Sequence, residues 1–403
     1  MKTKLFTIFF LLVTSQVFAE ECKSTDISKW HNCHGIDIAP NGWKYNGEFK
    51  NGKANGQGIL TDPDGLKFIG EFKNDLSHGQ LEISYANGEK YIGEYKNGKA
   101  DGVGVFIYSD GAKYTGEWEN GRKNGLGFFL HTDGTRYLGE WKDDKRHGQG
   151  ILIFKDGGNF FVRFKDGAPA GTGFLKTPKN DFSFGEWKGF ENIKRFKKCD
   201  DTNNNRCIRI IKSSSGDLHY GEYKNGSING FGTTLFSSPK DTYIGEHRNN
   251  LMEGFGIMLF QDGRIYFGQY IDKGFDGRGA MIFPSGAFLI GEWKNDAPLL
   301  GTMTFENRDK YIGEFKNGKQ NGFGIMIQPN GLKYEGEWKD DKRHGNGLMQ
   351  YYNSKRKSIG STKGEWREGK IYKGISIFPD GTEESLDEEQ FNSFVKKLRD
   401  SNE

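Results

Sequence analysis

The dipeptide Gly-Glu returns at a step of 23 residues, at Gly47-Glu48, Gly70-Glu71, Gly93-Glu94, Gly116-Glu117 and Gly139-Glu140. The same step passes through Val162-Arg163, inside the degenerate segment Phe160-Phe161-Val162-Arg163-Phe164, and reaches Gly185-Glu186. After an interruption the dipeptide resumes at Gly221, Gly245, Gly268 (followed by Gln269), Gly291, Gly313, Gly336 and Gly364, at steps close to 23 except the last, which makes seven units before the break and seven after it. A short period held this long means one supersecondary unit stacked on copies of itself, each too small to bury its own apolar face.

The unit reads as two strands. In Tyr137-Leu138-Gly139-Glu140-Trp141-Lys142, period-2 alternation places Tyr137, Gly139 and Trp141 on one face and Leu138, Glu140 and Lys142 on the other. A turn at 143–147 leads into Gly148-Gln149-Gly150-Ile151-Leu152-Ile153-Phe154, and Lys155-Asp156-Gly157 turns again. Asn51-Gly52, Asn97-Gly98, Asp110-Gly111 and Asp133-Gly134 supply the positive φ that tight turns need. Each unit is therefore a β-hairpin that pairs with the next. Composition agrees. The chain has 59 Gly in 403 residues, about twice the ordinary share, but only 9 Pro and no Gly-X-Y period, so it is no collagen. Its 33 Phe, 17 Tyr and 8 Trp are too many for a disordered Gly-rich chain.

The pattern Tyr-x-Gly-Glu-Trp-Lys-x-Gly-Lys-x-x-Gly-x-Gly resembles the MORN repeat (membrane occupation and recognition nexus), and the resemblance covers nearly all of residues 41–383. It implies an all-β fold: an elongated, twisted, single-layer antiparallel sheet of about fourteen consecutive hairpins with an aromatic-lined groove. It implies no catalytic residues, and a role as an interaction or assembly module, some members being linked to membrane lipids. Strand spacing gives fourteen such hairpins a span on the order of 130 Å.

The ends and the break divide the chain. Lys2 and Lys4, the apolar run Leu5 to Val13 and Val17-Phe18-Ala19 read as a secretory signal over 1–19, cut after Ala19. The run is too short to span a bilayer. Cys22 lies beyond the cut, so a lipoprotein anchor is rejected. Residues 20–40 read as an N-terminal cap, 41–187 as the first array, 188–217 as an insert, 218–383 as the second array and 384–403 as an amphipathic helix. The helix shows the stripe Phe391, Phe394, Val395 and Leu398, with Leu386 ahead of it and Ser385 and Glu388 as a capping box. It is either a lid over the last hairpin or a membrane- or partner-binding helix, and its mixed charges favour the lid. Cys22, Cys33, Cys199 and Cys207 form an even set suited to an oxidising compartment. Of the three pairings, sequence proximity favours Cys22–Cys33 and Cys199–Cys207. Zinc is disfavoured by the spacing.

Several chemistries are excluded. The net charge of +3 is spread evenly and offers no nucleic-acid footprint. No HExxH, GxSxG or phosphate loop occurs, and pairs such as Gly102-Val103-Gly104 belong to strands. The run Asp201 to Asn205 begins like a calcium loop but has Arg206 where Gly is required. His78, His147 and His344 sit at equivalent turns of units that are not adjacent. Glu48, Glu71, Glu94, Glu117 and Glu140 form a ladder that reads as neutralised by Lys50, Lys73, Lys96 and Lys142 on the same face, with Glu119 replacing the Lys in one unit. No metal, cofactor or enzymatic activity is expected.

Two surfaces remain as candidates. One is the aromatic row, including Tyr91, Tyr95, Tyr114, Trp118, Tyr137, Trp141, Tyr334 and Trp338, which either packs on itself or stays partly open to a peptide, a second copy or a sugar chain. The other is the basic run Lys194, Arg195, Lys197 and Lys198 in the insert, suited to lipid head groups or an acidic partner. The expected function is a non-enzymatic scaffold for protein interaction or self-assembly, as a homodimer for example, in the periplasm or outside the cell. The alternatives are a peripheral phospholipid binder and, behind it, a glycan- or cell-wall-associated protein. In a eukaryotic secreted protein Asn225-Gly226-Ser227 would be a glycosylation acceptor.

Overall fold

The computed structural model describes residues 20–179, 181–199, 205–353, 357–378, 381–387, 389–391 and 393. The signal segment 1–19, the loop residues 201–204, Glu388, Phe394, Val395 and Leu398 lie outside the described residues.

All fourteen units are antiparallel hairpins. In the first, strand Lys44–Lys50 pairs with Lys53–Thr61 across a two-residue turn in which both Asn51 (φ 53°) and Gly52 (φ 73°) are left-handed. This is the primed turn geometry that matches strand twist. Where Gly is missing, Asn or Asp replaces it at every such two-residue turn but Asp272-Lys273, as at Asn74 and Asp75 or Asp143 and Asp144, because their short polar side chains tolerate the same conformation. The turns also tie one unit to the next. The Asp75 amide donates to the Ala54 carbonyl at 3.0 Å, and Asp75 Oδ1 accepts from the Ala54 amide at 2.7 Å. Asp144 with Lys123 and Asp341 with Gln320 repeat the pattern.

Register places the glycines in a row across the sheet, with Gly47 opposite Gly58, Gly58 opposite Gly70, and Gly93 opposite Gly104. In the eight units that have Tyr two residues before the signature glycine, its ring lies over this row. A Cβ on Gly150 would stand 2.5 Å from the Tyr137 hydroxyl and 2.6 Å from its ring, so the packing requires bare backbone there. The Tyr hydroxyl then donates to the carbonyl of the Glu three residues on, as Tyr91 to Glu94 at 3.0 Å and Tyr137 to Glu140 at 2.9 Å. The degenerate unit lacks the hydroxyl, having Phe160, and Val162 fills the glycine position, its side chain lying against Gly173.

The described strands form two sixteen-stranded sheets, not one. The N-terminal sheet runs from Glu20–Glu21 to Glu191–Arg195, and the C-terminal sheet from Asn205–Lys212 to Glu383–Leu386, each in strict sequence order. The Glu-bearing faces of the two sheets pack on each other. Leu138, Ile151, Phe161, Phe174 and Phe184 of one share a core with Ile244, Ile257, Phe267, Ala280, Phe288 and Ile290 of the other. The all-β array of consecutive hairpins is thus as expected, but the single layer is replaced by two over its middle. Each sheet is about 70 Å across its strands, roughly half the length of one continuous array. The physical reason is the residue just before the signature glycine position. In the middle units it is Leu138, Phe161, Phe184, Ile244, Phe267 and Ile290, and a solvated single sheet would leave this second apolar face bare.

The fold-back corner is the segment read as an insert. Strand Glu191–Arg195 ends the N-terminal sheet and Asn205–Lys212 opens the other. Lys198 and Ile208 bridge them, and the Cys199–Cys207 disulfide closes the corner. The second disulfide, Cys22–Cys33, holds the first strands beside Trp30, which caps Phe49 edge-on at 4.7 Å. Both bonds are the ones proximity favoured.

At the C-terminus the helix starts later than the sequence pattern suggests. Glu383–Leu386 is a last strand, so Ser385 lies in the sheet and is no cap. The capping box is Asp387 with Gln390. The Gln390 amide donates to Asp387 Oδ1 at 2.9 Å, and the Asp387 amide to Gln390 Oε1 at 3.0 Å. The short helix lays Phe391 on Trp366, with ring centres 5.6 Å apart.

Candidate functional site

The Glu of the signature is bound to backbone. Its strand partner is bulged, with register shifting between Gly47 and Phe49 and at the same place in later units. The bulge frees an amide nine residues on, and the carboxylate accepts it. Gln57 donates to Glu48 at 2.8 Å, Leu126 to Glu117 at 2.6 Å, Gln149 to Glu140 at 2.7 Å, and Asn346 to Glu337 at 2.9 Å. The carboxylate lies over a glycine of positive φ, as Glu94 over Gly102 (φ 112°), where a Cβ would collide with it. The ladder read as neutralised by lysines is thus held chiefly by these amides. Burial pushes Glu48 up from 4.5 to about 8, against the lowering effect of the Gln57 amide. Glu117 is also raised by burial, partly offset by Arg278 from the opposite sheet.

The aromatic row packs on itself. Tyr91, Tyr114, Tyr137, Trp141, Tyr334 and Trp338 are buried, their rings meeting edge to face near 5 Å. The Trp141 and Trp338 indoles also donate to the Gly127 and Gly324 carbonyls. These six are not an open contact row. Tyr95 and Trp118 keep partial exposure. In several units the chain supplies its own cation: Lys123 Nζ stands 5.0 to 5.6 Å from the rings of Tyr108, Tyr114, Phe129 and Trp141 and donates to Tyr108 at 2.8 Å, and Arg146 and Arg343 lie likewise over Tyr137 and Trp366.

The basic run sits at the fold-back corner. Lys194, Arg195, Lys197 and Lys198 are exposed, Lys194 reaching Glu186 at 3.5 Å. Beside them Phe190, Ile193 and Ile210 are more than half exposed. Sequence reading missed these apolar neighbours because the insert showed no period to assign them a face. Among the described residues no group of His, Cys, Asp and Glu is placed to hold a metal.

Two concavities flank the sheets. One, of about 500 Å³, lies on the outer face of the C-terminal sheet, among Phe283, Leu289, Met303, Phe305, Met326 and Trp338, with Asp309 and Asp341 at its rim. The other, of about 290 Å³, lies between the sheets where the shared core stops. Charged pairs cross from sheet to sheet around it. Lys310 Nζ donates to Glu94 at 3.0 Å, Gln80 at 3.2 Å and the Val103 carbonyl at 2.8 Å, and Arg308 faces Glu82 at 4.0 Å. Nearer the core, Gln149 donates to Glu246 at 3.0 Å and Arg278 pairs with Glu117. At the distal end Lys357 meets Glu21 at 2.6 Å. Nothing in the sequence pattern pointed to this cleft, because it belongs to neither array alone.

The family model "MORN repeat" matches nine segments: 45–67, 68–89, 91–113, 114–136, 137–159, 219–238, 243–263, 311–333 and 334–356. The chain belongs to the MORN-repeat family. The five remaining hairpins, at Val162, Gly185, Gly268, Gly291 and Gly364, continue the same two sheets, so the MORN architecture extends past the matched segments. No curated protein matches the chain. Among solved structures, the TCP domain of SAS-4 (dCPAP) of Drosophila melanogaster, in complex with a proline-rich motif of Ana2 (dSTIL), is 13% identical. The match covers 44% of this chain and 88% of that one, with a TM-score of 0.21. A catalytically inactive virginiamycin B lyase from Staphylococcus aureus with quinupristin is 14% identical over 81% of this chain and 93% of that one, at a TM-score of 0.12. A streptogramin B lyase gives 14%, 77%, 93% and 0.13. The two disulfides are compatible with an oxidising, exported location.

Proposed function

We propose that this MORN-repeat protein is a non-enzymatic scaffold that binds other proteins in the periplasm or outside the cell. The observation that carries this reading is the outer concavity of the C-terminal sheet. Its Phe and Met lining is the adaptable kind of surface that takes an apolar anchor. Asp309 and Asp341 at the rim select a segment whose anchor is flanked by basic residues. Crosslinking the native chain and identifying the captured proteins tests it. Capture should be lost in a Phe305→Asp, Met326→Asp double variant that keeps wild-type circular dichroism. Equal capture by both chains would refute the assignment.

A second reading is favoured by the fold-back corner, where exposed Phe190, Ile193 and Ile210 adjoin four exposed basic residues. Apolar side chains to enter a bilayer and cations to meet anionic head groups support peripheral membrane binding. Sedimentation with anionic vesicles should be salt-sensitive and should weaken when Lys194, Arg195, Lys197 and Lys198 are neutralised.

A further inference from the structure

The inner faces of the two sheets match near the corner and mismatch away from it. Near the corner Phe161, Phe174 and Phe184 meet Ile257 and Phe267 and fill the space. Farther out Thr115, Val105 and Ile92 on one sheet and Thr304 on the other stand in place of the facing phenylalanines, and the cleft of about 290 Å³ opens. Its N-terminal wall runs from Gln57 in strand Lys53–Thr61 to Thr115 in strand Lys113–Glu119, five strand spacings or about 24 Å. Small volume over that length describes a narrow slot.

We propose that this slot binds the aliphatic chain of a long-chain carboxylate, with the anionic head at Lys113. Three observations select that class. The walls are apolar, with Ile69, Leu81, Ile92, Val103, Val105 and Phe288 among them. The N-terminal wall is a sheet face whose backbone groups are paired within the sheet, and the opposite wall adds turns whose amides are bonded internally, as Gly286 to the Phe283 carbonyl and Gly331 to that of Gln328. A peptide entering here would leave its own amides and carbonyls unmet, whereas a hydrocarbon chain has none. The third is the charge pattern. Lys310 is held by Glu94, Arg308 faces Glu82 and Lys333 reaches Glu335 at 3.5 Å. Lys113 lines the slot half-buried, with no hydrogen-bond or ion-pair partner among the described residues. Its burial lowers its affinity for a proton, and no neighbouring carboxylate offsets this. An anion supplied from outside would restore the balance. Glu71, four strands away over Gly79, repels a second anionic end and so orients the chain.

This inference is independent of the outer-face scaffold reading. Dodecanoate titrated calorimetrically into the chain from residue 20 onward should bind one to one. Lys113→Met should weaken binding about tenfold through loss of one charge-assisted contact. Val105→Trp should abolish it, and Thr115→Phe serves if that variant does not fold. Phosphatidylglycerol vesicles form the second arm. Sedimentation that Val105→Trp abolishes makes a membrane lipid the source of the chain. Dodecanoate binding with vesicles unaffected makes it the free carboxylate. No dodecanoate binding, or binding that neither slot-filling variant changes, overturns the proposal.

Discussion

At the scale of single residues the signature is a set of solved packing problems. Tyr needs a glycine floor, and the bulge opposite Glu needs a carboxylate to accept its freed amide. Gly150→Ala drives a methyl into the Tyr137 ring, whereas Gly157 has nothing within 4 Å and only its φ of 88° to satisfy. Chemical denaturation should show Gly150→Ala destabilising by about 3 kcal/mol and Gly157→Ala by about 1 kcal/mol. Glu48 makes a second test. Its folded value of about 8 lies above the ordinary 4.5, so the folded state holds the extra proton between those values. Its stabilising contribution is complete below pH 4.5 and is lost as pH rises through 8. Glu48→Gln cannot lose a proton. The stability difference between wild type and variant, measured at pH 5 and pH 9, should therefore shift in the variant's favour at the higher pH.

At the scale of elements, hairpins were legible and ends were not. The near-23-residue recurrence and the polar two-residue turns mark the hairpins, including the degenerate one, because these signals are local. The terminal helix shows the limit. Its apolar stripe was visible, yet Glu383–Leu386 pairs with Lys370–Ile377, because an open strand edge gains more from ladder bonds than from one further helical turn. The helix then seals Trp366, which is fully buried. Phe391→Ala should red-shift Trp366 emission, measured with the other seven tryptophans replaced by Phe, and leave the far-ultraviolet spectrum nearly unchanged.

At the scale of the whole molecule, the two sheets close on each other through one apolar face. That contact rests on a few large side chains near the corner. Phe174→Asp with Phe267→Asp places two carboxylates in it without a counter-charge. Small-angle scattering should then show an increase in maximum dimension towards that of an extended array, with the strand content retained. Retention of the wild-type dimension would show that the corner and the distal Lys357–Glu21 pair hold the layers together without the core.

The repeat alone determined the unit, its turns and the aromatic side, and cysteine proximity outside the repeat favoured the two disulfides, since each depends on neighbours close in the chain. The residue just before the signature glycine position carried the signal for the second layer, apolar in the middle units and polar at Asn46, Glu335 and Lys363 towards the ends. That signal names a face to be buried but not what buries it. Only the tertiary structure decided that the other half of the same chain does so. Folding back at the corner removes both apolar faces from water at once, and the slot at Lys113 exists because the two faces stop matching before they end.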